Sequence, residues 1–89
     1  MAYSGQKTVS VAGTPVKVGE EITGGRVMIR ALPINTGYVY LGDENVSAGN
    51  GIILAGGDAI VMMYVGAMTN IWLDADKNGE GIAWLRLEI

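Results

Sequence analysis

Apolar and polar residues alternate along most of the chain, and turn-forming residues interrupt the alternation every few positions. That rhythm belongs to β-strands, whose side chains point alternately to opposite faces, and no stretch shows the 3.6-residue repeat of an amphipathic helix. Residues 26–32 are the clearest case. Val27, Ile29 and Ala31 fall on one face and Arg26, Met28 and Arg30 on the other, so one face is expected inward and one outward. Val9 with Val11 and Val16 with Val18 form shorter runs, parted by Gly13, Thr14 and Pro15. Further strands are expected at 37–41, 51–55, 59–65, 70–75 and 82–88. Between them lie Pro33 with Asn35 and Gly37, Gly42 with Asp43, Gly49 with Gly51, Gly56 with Asp58, and residues 76–81, all residue types that turns favour. The expectation is an all-β fold: a single small β-sandwich, jelly roll or barrel of about seven or eight short antiparallel strands.

A chain of 89 residues makes one domain that buries about 60 to 65% of its unfolded surface. Residues 7–89 are read as that domain and residues 1–6 as a flexible N-terminal arm that orders on a neighbour. Cysteine and histidine are both missing from the sequence. The chain therefore has no disulfide framework, lacks the usual zinc ligands, and lacks the side chain that most often moves protons near neutral pH. Its serines stand in no nucleophile-elbow context and its glycines in no phosphate-loop pattern, so neither an enzyme nor a cofactor is expected. Six scattered Lys and Arg residues and a net charge of −3 supply no basic stripe for nucleic acid. The uninterrupted apolar run at 59–68 is about half the roughly 20 residues needed to span a bilayer as a helix, and no membrane partner is expected.

Residues 59–65, AIVMMYV, break the alternation and carry apolar side chains on both faces. Such a strand calls for cover on both sides, from the chain's own second sheet, or from another copy of the chain or a partner. Ile60, Met62, Met63 and Tyr64 are thus candidate interface residues, with methionine suited to an adaptable contact. Trp72 and Trp84 join them. If residues 72–84 form a hairpin around Asn78-Gly79, with Gly79 in the left-handed conformation, Trp72 stands opposite Trp84. The two rings then make a patch for a protein partner, or a stacking platform for a sugar.

The run Asp74-Ala-Asp76-Lys-Asn78-Gly79-Glu80 begins like a calcium-binding EF-hand loop, with oxygen ligands at alternate positions and a glycine for the sharp turn. The twelfth position, where a bidentate Glu should sit, is Leu85, and the flanks read as strands. A turn explains the same residues. No metal is expected, and calcium on Asp74, Asp76 and Asn78 is the alternative.

Four segments occur in order: Asn35-Thr-Gly-Tyr-Val-Tyr-Leu-Gly42, Val46-Ser-Ala-Gly-Asn-Gly-Ile52, Leu54-Ala-Gly-Gly-Asp58, and Asp74-Ala-Asp-Lys-Asn-Gly-Glu-Gly81 ahead of Trp84-Leu85. This order resembles that of small β-structured virion proteins of tailed bacteriophages, over residues 8–88. The resemblance implies a non-enzymatic virion component assembled in the host cytoplasm: a capsid decoration or cement protein, or a part of a head fibre or tail. It also implies partners, namely the major capsid protein or another virion protein, and the chain itself as a homo-trimer or other homo-oligomer. A carbohydrate-binding module using exposed Trp and Tyr is the alternative from a different class.

Overall fold

A computed structural model describes residues 2–19, 26–62 and 71–87, and the side chains of 4–19, 26–61 and 71–86. Among these the fold is all-β, with no helix. The strands are β1 (Ala2–Thr8), β2 (Val16–Lys17), β3 (Arg26–Ala31), β4 (Val39–Gly42), β5 (Ile52–Leu54), β6 (Ala59–Met62), β7 (Trp72–Ala75) and β8 (Gly81–Leu87). They form two four-stranded antiparallel sheets, ordered β1-β8-β3-β6 and β2-β7-β4-β5.

The period-two pattern places the core. In β3, Val27, Ile29 and Ala31 are buried while Arg26, Met28 and Arg30 are exposed, as the alternation requires. β8 continues the same inner face, with Ile82 opposite Ala31 and Trp84 opposite Ile29. The second sheet contributes Val39, Leu41, Leu54, Leu73 and Ala75 to the same cluster. Each sheet thus covers the apolar face of the other.

Among the described strands, only β4 and β5 are consecutive neighbours within one sheet; the other successive strands lie in different sheets. The expected hairpin of residues 72–84 is therefore not formed. β7 lies between β2 and β4, and β8 lies between β1 and β3. Gly79 does take a positive φ of 82°, as a turn centred there requires. Its N–H, however, bonds to Val9 O at 2.7 Å rather than to a β7–β8 ladder. The local conformation was readable, but both strands already have neighbours on each side, so residues 76–80 bridge the sheets.

The N-terminal reading also needs correction. Residues 1–6 were expected as an arm, yet β1 starts at Ala2 and pairs with β8 as far as Thr8↔Gly81. Exposed Ser4, Gln6 and Thr8 hid the strand, because an edge strand with a polar outer face carries a weak apolar signal. Conversely, Val9 and Val11 do not share a strand face: Val9 is buried, whereas Val11 is exposed in a turn closed by Thr14 N donating to Val11 O. Of the strand expected at 59–65, Ala59–Met62 is present, and 63–65 lie outside the described residues.

Two glycines let β1 approach β8 closely. A Cβ on Gly81 would stand 2.0 Å from Lys7 O and 2.6 Å from Thr8 Cα, and one on Gly5 would stand 2.9 Å from the Trp84 ring. Backbone atoms of a paired strand cannot yield as a side chain does. Gly81→Ala is expected to lower stability in denaturant titration by about 2 to 3 kcal/mol. Gly49→Ala, whose nearest contact would be Ser47 Oγ at 3.9 Å, should stay within about 0.5 kcal/mol of the parent.

Candidate functional site

The most polar part of the sequence forms the junction between the sheets. Asp74 begins the run on the side of β7 opposite the core, and its Oδ1 accepts from Gly13 N at 2.9 Å and Ala75 N at 2.8 Å. Asn78 Oδ1 accepts from Ala12 N at 2.8 Å. Asp76 turns the other way. Its Oδ2 accepts from Tyr38 N at 3.0 Å, and its Oδ1 from the Tyr40 hydroxyl at 2.5 Å. Glu80 completes the set, taking Thr36 N at 2.7 Å and the Thr36 hydroxyl at 3.0 Å on Oε2, and Gly37 N at 2.9 Å on Oε1. Asn35 adds a reciprocal pair with the Gly81 main chain.

The alternating acidic pattern thus serves as a clasp. Its oxygens accept main-chain N–H groups from two loops, 12–13 and 36–38, that have no ladder partners of their own. Gly37 allows this approach, since a Cβ there would lie 2.9 Å from Asp76 Cβ. Of the calcium alternative's residues, Asp74 and Asn78 face the first loop and Asp76 the second. Among the described residues, no three His, Cys, Asp or Glu side chains group as a metal site.

The clasp also sets proton affinities. The Tyr40 hydroxyl, then the Tyr38 N–H, hold the Asp76 carboxyl below the usual carboxylate range. The Thr36 and Gly37 N–H groups do the same for Glu80. In return, the hydrogen bond to Asp76, followed by burial, pushes the Tyr40 phenol up to about 12.

The residues expected at an interface do not converge. Ile60 lies opposite Ile29 and packs, half-buried, against the core. Met62 pairs with Val27 through its backbone and its side chain is not among those described; Met63 and Tyr64 lie outside the described residues. Trp84 faces the core from the first sheet, half-buried and seated on Gly5. Trp72 belongs to the other sheet, opposite Gly42 and Lys17, with the Lys17 ammonium 5.8 Å from its ring centroid. The two-tryptophan platform is therefore absent, because the hairpin that would have built it is replaced by the crossing between sheets.

A different surface emerges on the outer face of the first sheet. Register sets Leu85 beside Met28 and Met28 beside Val61, and these neighbours are 39%, 41% and 59% exposed. They line a groove of about 230 Å³ with Arg26 and Val27. A larger hollow of about 300 Å³ lies between Trp84, Lys7 and Lys17, but Trp84 is already committed to Gly5 and the core. Met28 was legible as outward from the alternation in β3. For Leu85, only the pairing with β3 shows that it joins Met28. Comparison of the chain with family models, curated proteins and solved structures gives no match.

Because the folded state lowers the proton affinity of Asp76 and Glu80, their contribution to stability is complete above the ordinary carboxylate range. It is lost as pH falls through that range to the lowered folded values. Thermal midpoints measured between pH 7 and pH 2 should fall more steeply for the parent than for an Asp76→Asn, Glu80→Gln double variant. Parallel curves would remove the clasp as the source of this acid sensitivity.

Proposed function

We propose that the chain is a non-enzymatic structural protein of a phage virion, a capsid decoration or cement protein that binds the capsid lattice as a homo-oligomer. The observation that carries this reading is the exposed Leu85–Met28–Val61 row on the outer face of the first sheet. A continuous apolar row across three strands of a stable sheet is suited to covering by a protein partner.

The strand order supports the setting. Eight described antiparallel strands in the orders β1-β8-β3-β6 and β2-β7-β4-β5 support reading the fold as a jelly roll, which viral capsid domains and lectins use. Fold alone leaves function open, and the ordered motifs between Asn35 and Leu85 that resemble those of phage virion proteins favour the virion. On a repeating lattice, weak contacts of one small face multiply through the oligomer's simultaneous attachment at several sites. The host cytoplasm is then the place of assembly and the virion the place of residence.

Incubating the protein with purified empty capsids of the encoding phage tests the reading. Saturable binding in fixed proportion to capsid subunits is expected, with occupancy reduced at least about tenfold by Met28→Asp combined with Val61→Asp. Failure of the parent to bind, or equal occupancy by the variant, would remove the proposal.

A further inference from the structure

Charge is unevenly distributed over the two sheets. On the outer face of the first, Arg26 and Arg30 flank the apolar row, and no Asp or Glu side chain points from that face among the described residues. The second sheet carries acidic residues at one end. Asp43 and Glu44 are exposed where the chain leaves β4, two and three residues beyond Leu41 of the Leu41↔Ile52 pair. Beside them, Ile52 and Ile53 on the edge strand β5 are 50% and 54% exposed. No Lys or Arg occurs in residues 31–76; the cation at this end of the sheet is Lys17 of β2, two strands from Gly42 across Trp72, with its ammonium over the Trp72 ring.

We propose that copies of the chain associate head to tail, the outer face of the first sheet of one copy receiving the β5 edge and acidic β4–β5 loop of the next. This rests on the reading that the Met28 row is a contact surface and makes the next copy its occupant, so the row serves lattice binding through the oligomer it builds rather than by touching the capsid. The two symmetric alternatives are disfavoured by like charge. An isologous contact through the first sheet would set Arg26 and Arg30 against their own copies, and one through β5 would set Asp43 and Glu44 against theirs. Face to edge, the arginines meet the acids and both apolar patches are covered.

The acidic loop is held ready for such a contact. Asp43 Oδ1 accepts from Asn45 N at 2.9 Å, and Asn50 bonds to Ser47 N and Asn45 O across the loop. Val46 is buried beneath it, against the faces of Gly42 and Gly51, which fixes the loop to the sheet. Among the described residues β5 has β4 on one side only, so its outer edge has no strand partner there. Because the two surfaces differ, the contact is heterologous and closes into a ring wherever the rotation between copies permits.

Sedimentation equilibrium of the full chain provides the test. The parent is expected to associate, and less strongly at 1 M salt than at 0.1 M. Arg26→Glu and Glu44→Lys should each weaken association at least about tenfold, and the two together should recover it. Among the described residues neither side chain makes a hydrogen bond, and unchanged circular dichroism would establish that the variants are folded. A parent that is monomeric at every concentration, reversals without effect, or a double variant that fails to recover would each overturn the inference. A monomeric parent that still saturates capsids would overturn it, and the homo-oligomer part of the proposed function with it, while leaving capsid binding intact. Association with charge-swap recovery but without capsid binding would support it and remove the virion reading.

Discussion

The rest of the structure depends on how residues 76–80 cross from one sheet to the other. A main-chain N–H in a connection has no ladder partner, and a fold whose described successive strands nearly all lie in different sheets must satisfy many of them. Asp76 and Glu80 do so for Thr36, Gly37 and Tyr38 in the β3–β4 connection, while Asn78 and Asp74 do so for Ala12 and Gly13 in the β1–β2 connection. Charged acceptors make stronger hydrogen bonds than neutral ones. One short acidic segment thereby fixes two loops to the junction of the sheets, and those loops determine how β2 and β4 enter the second sheet.

With the crossing in place, the faces of both sheets follow. β8 is directed between β1 and β3, its Ile82 and Trp84 turned inward and its Leu85 outward beside Met28. β7 is directed between β2 and β4, so Trp72 is turned away from Trp84 and toward Lys17. The apolar row and the separation of basic and acidic surfaces are therefore consequences of topology. Had 72–84 formed a hairpin, the tryptophans would have faced each other and the Leu85–Met28 contact would not exist.

What was legible in the sequence was local. The alternation in 26–32 gives β3 and its buried face, the turn residues separate the strands near their observed limits, and Asn78-Gly79 correctly places a left-handed glycine. Partnership was not legible. Nothing in residues 72–84 distinguishes a hairpin from a bridge between sheets, because both need a tight turn flanked by alternating strands; the difference lies in Val9, Ala12 and Gly13, more than sixty residues away. β1 was missed for a related reason, since its pairing relies on Gly5 and Gly81 allowing close approach rather than on apolar residues of its own. The acidic motif was recognised as a turn with an EF-hand likeness, but its real partners, the amides of two distant loops, lie outside any local pattern.

The clasp is tested most directly by amide hydrogen exchange at Thr36, Gly37 and Tyr38. If Asp76 and Glu80 hold this connection, these three amides are protected at neutral pH to about the same degree as those of the β4 ladder, although they lie in a loop on the surface. Exchange at the rate of an unprotected peptide, with the β4 ladder still protected, would contradict the account.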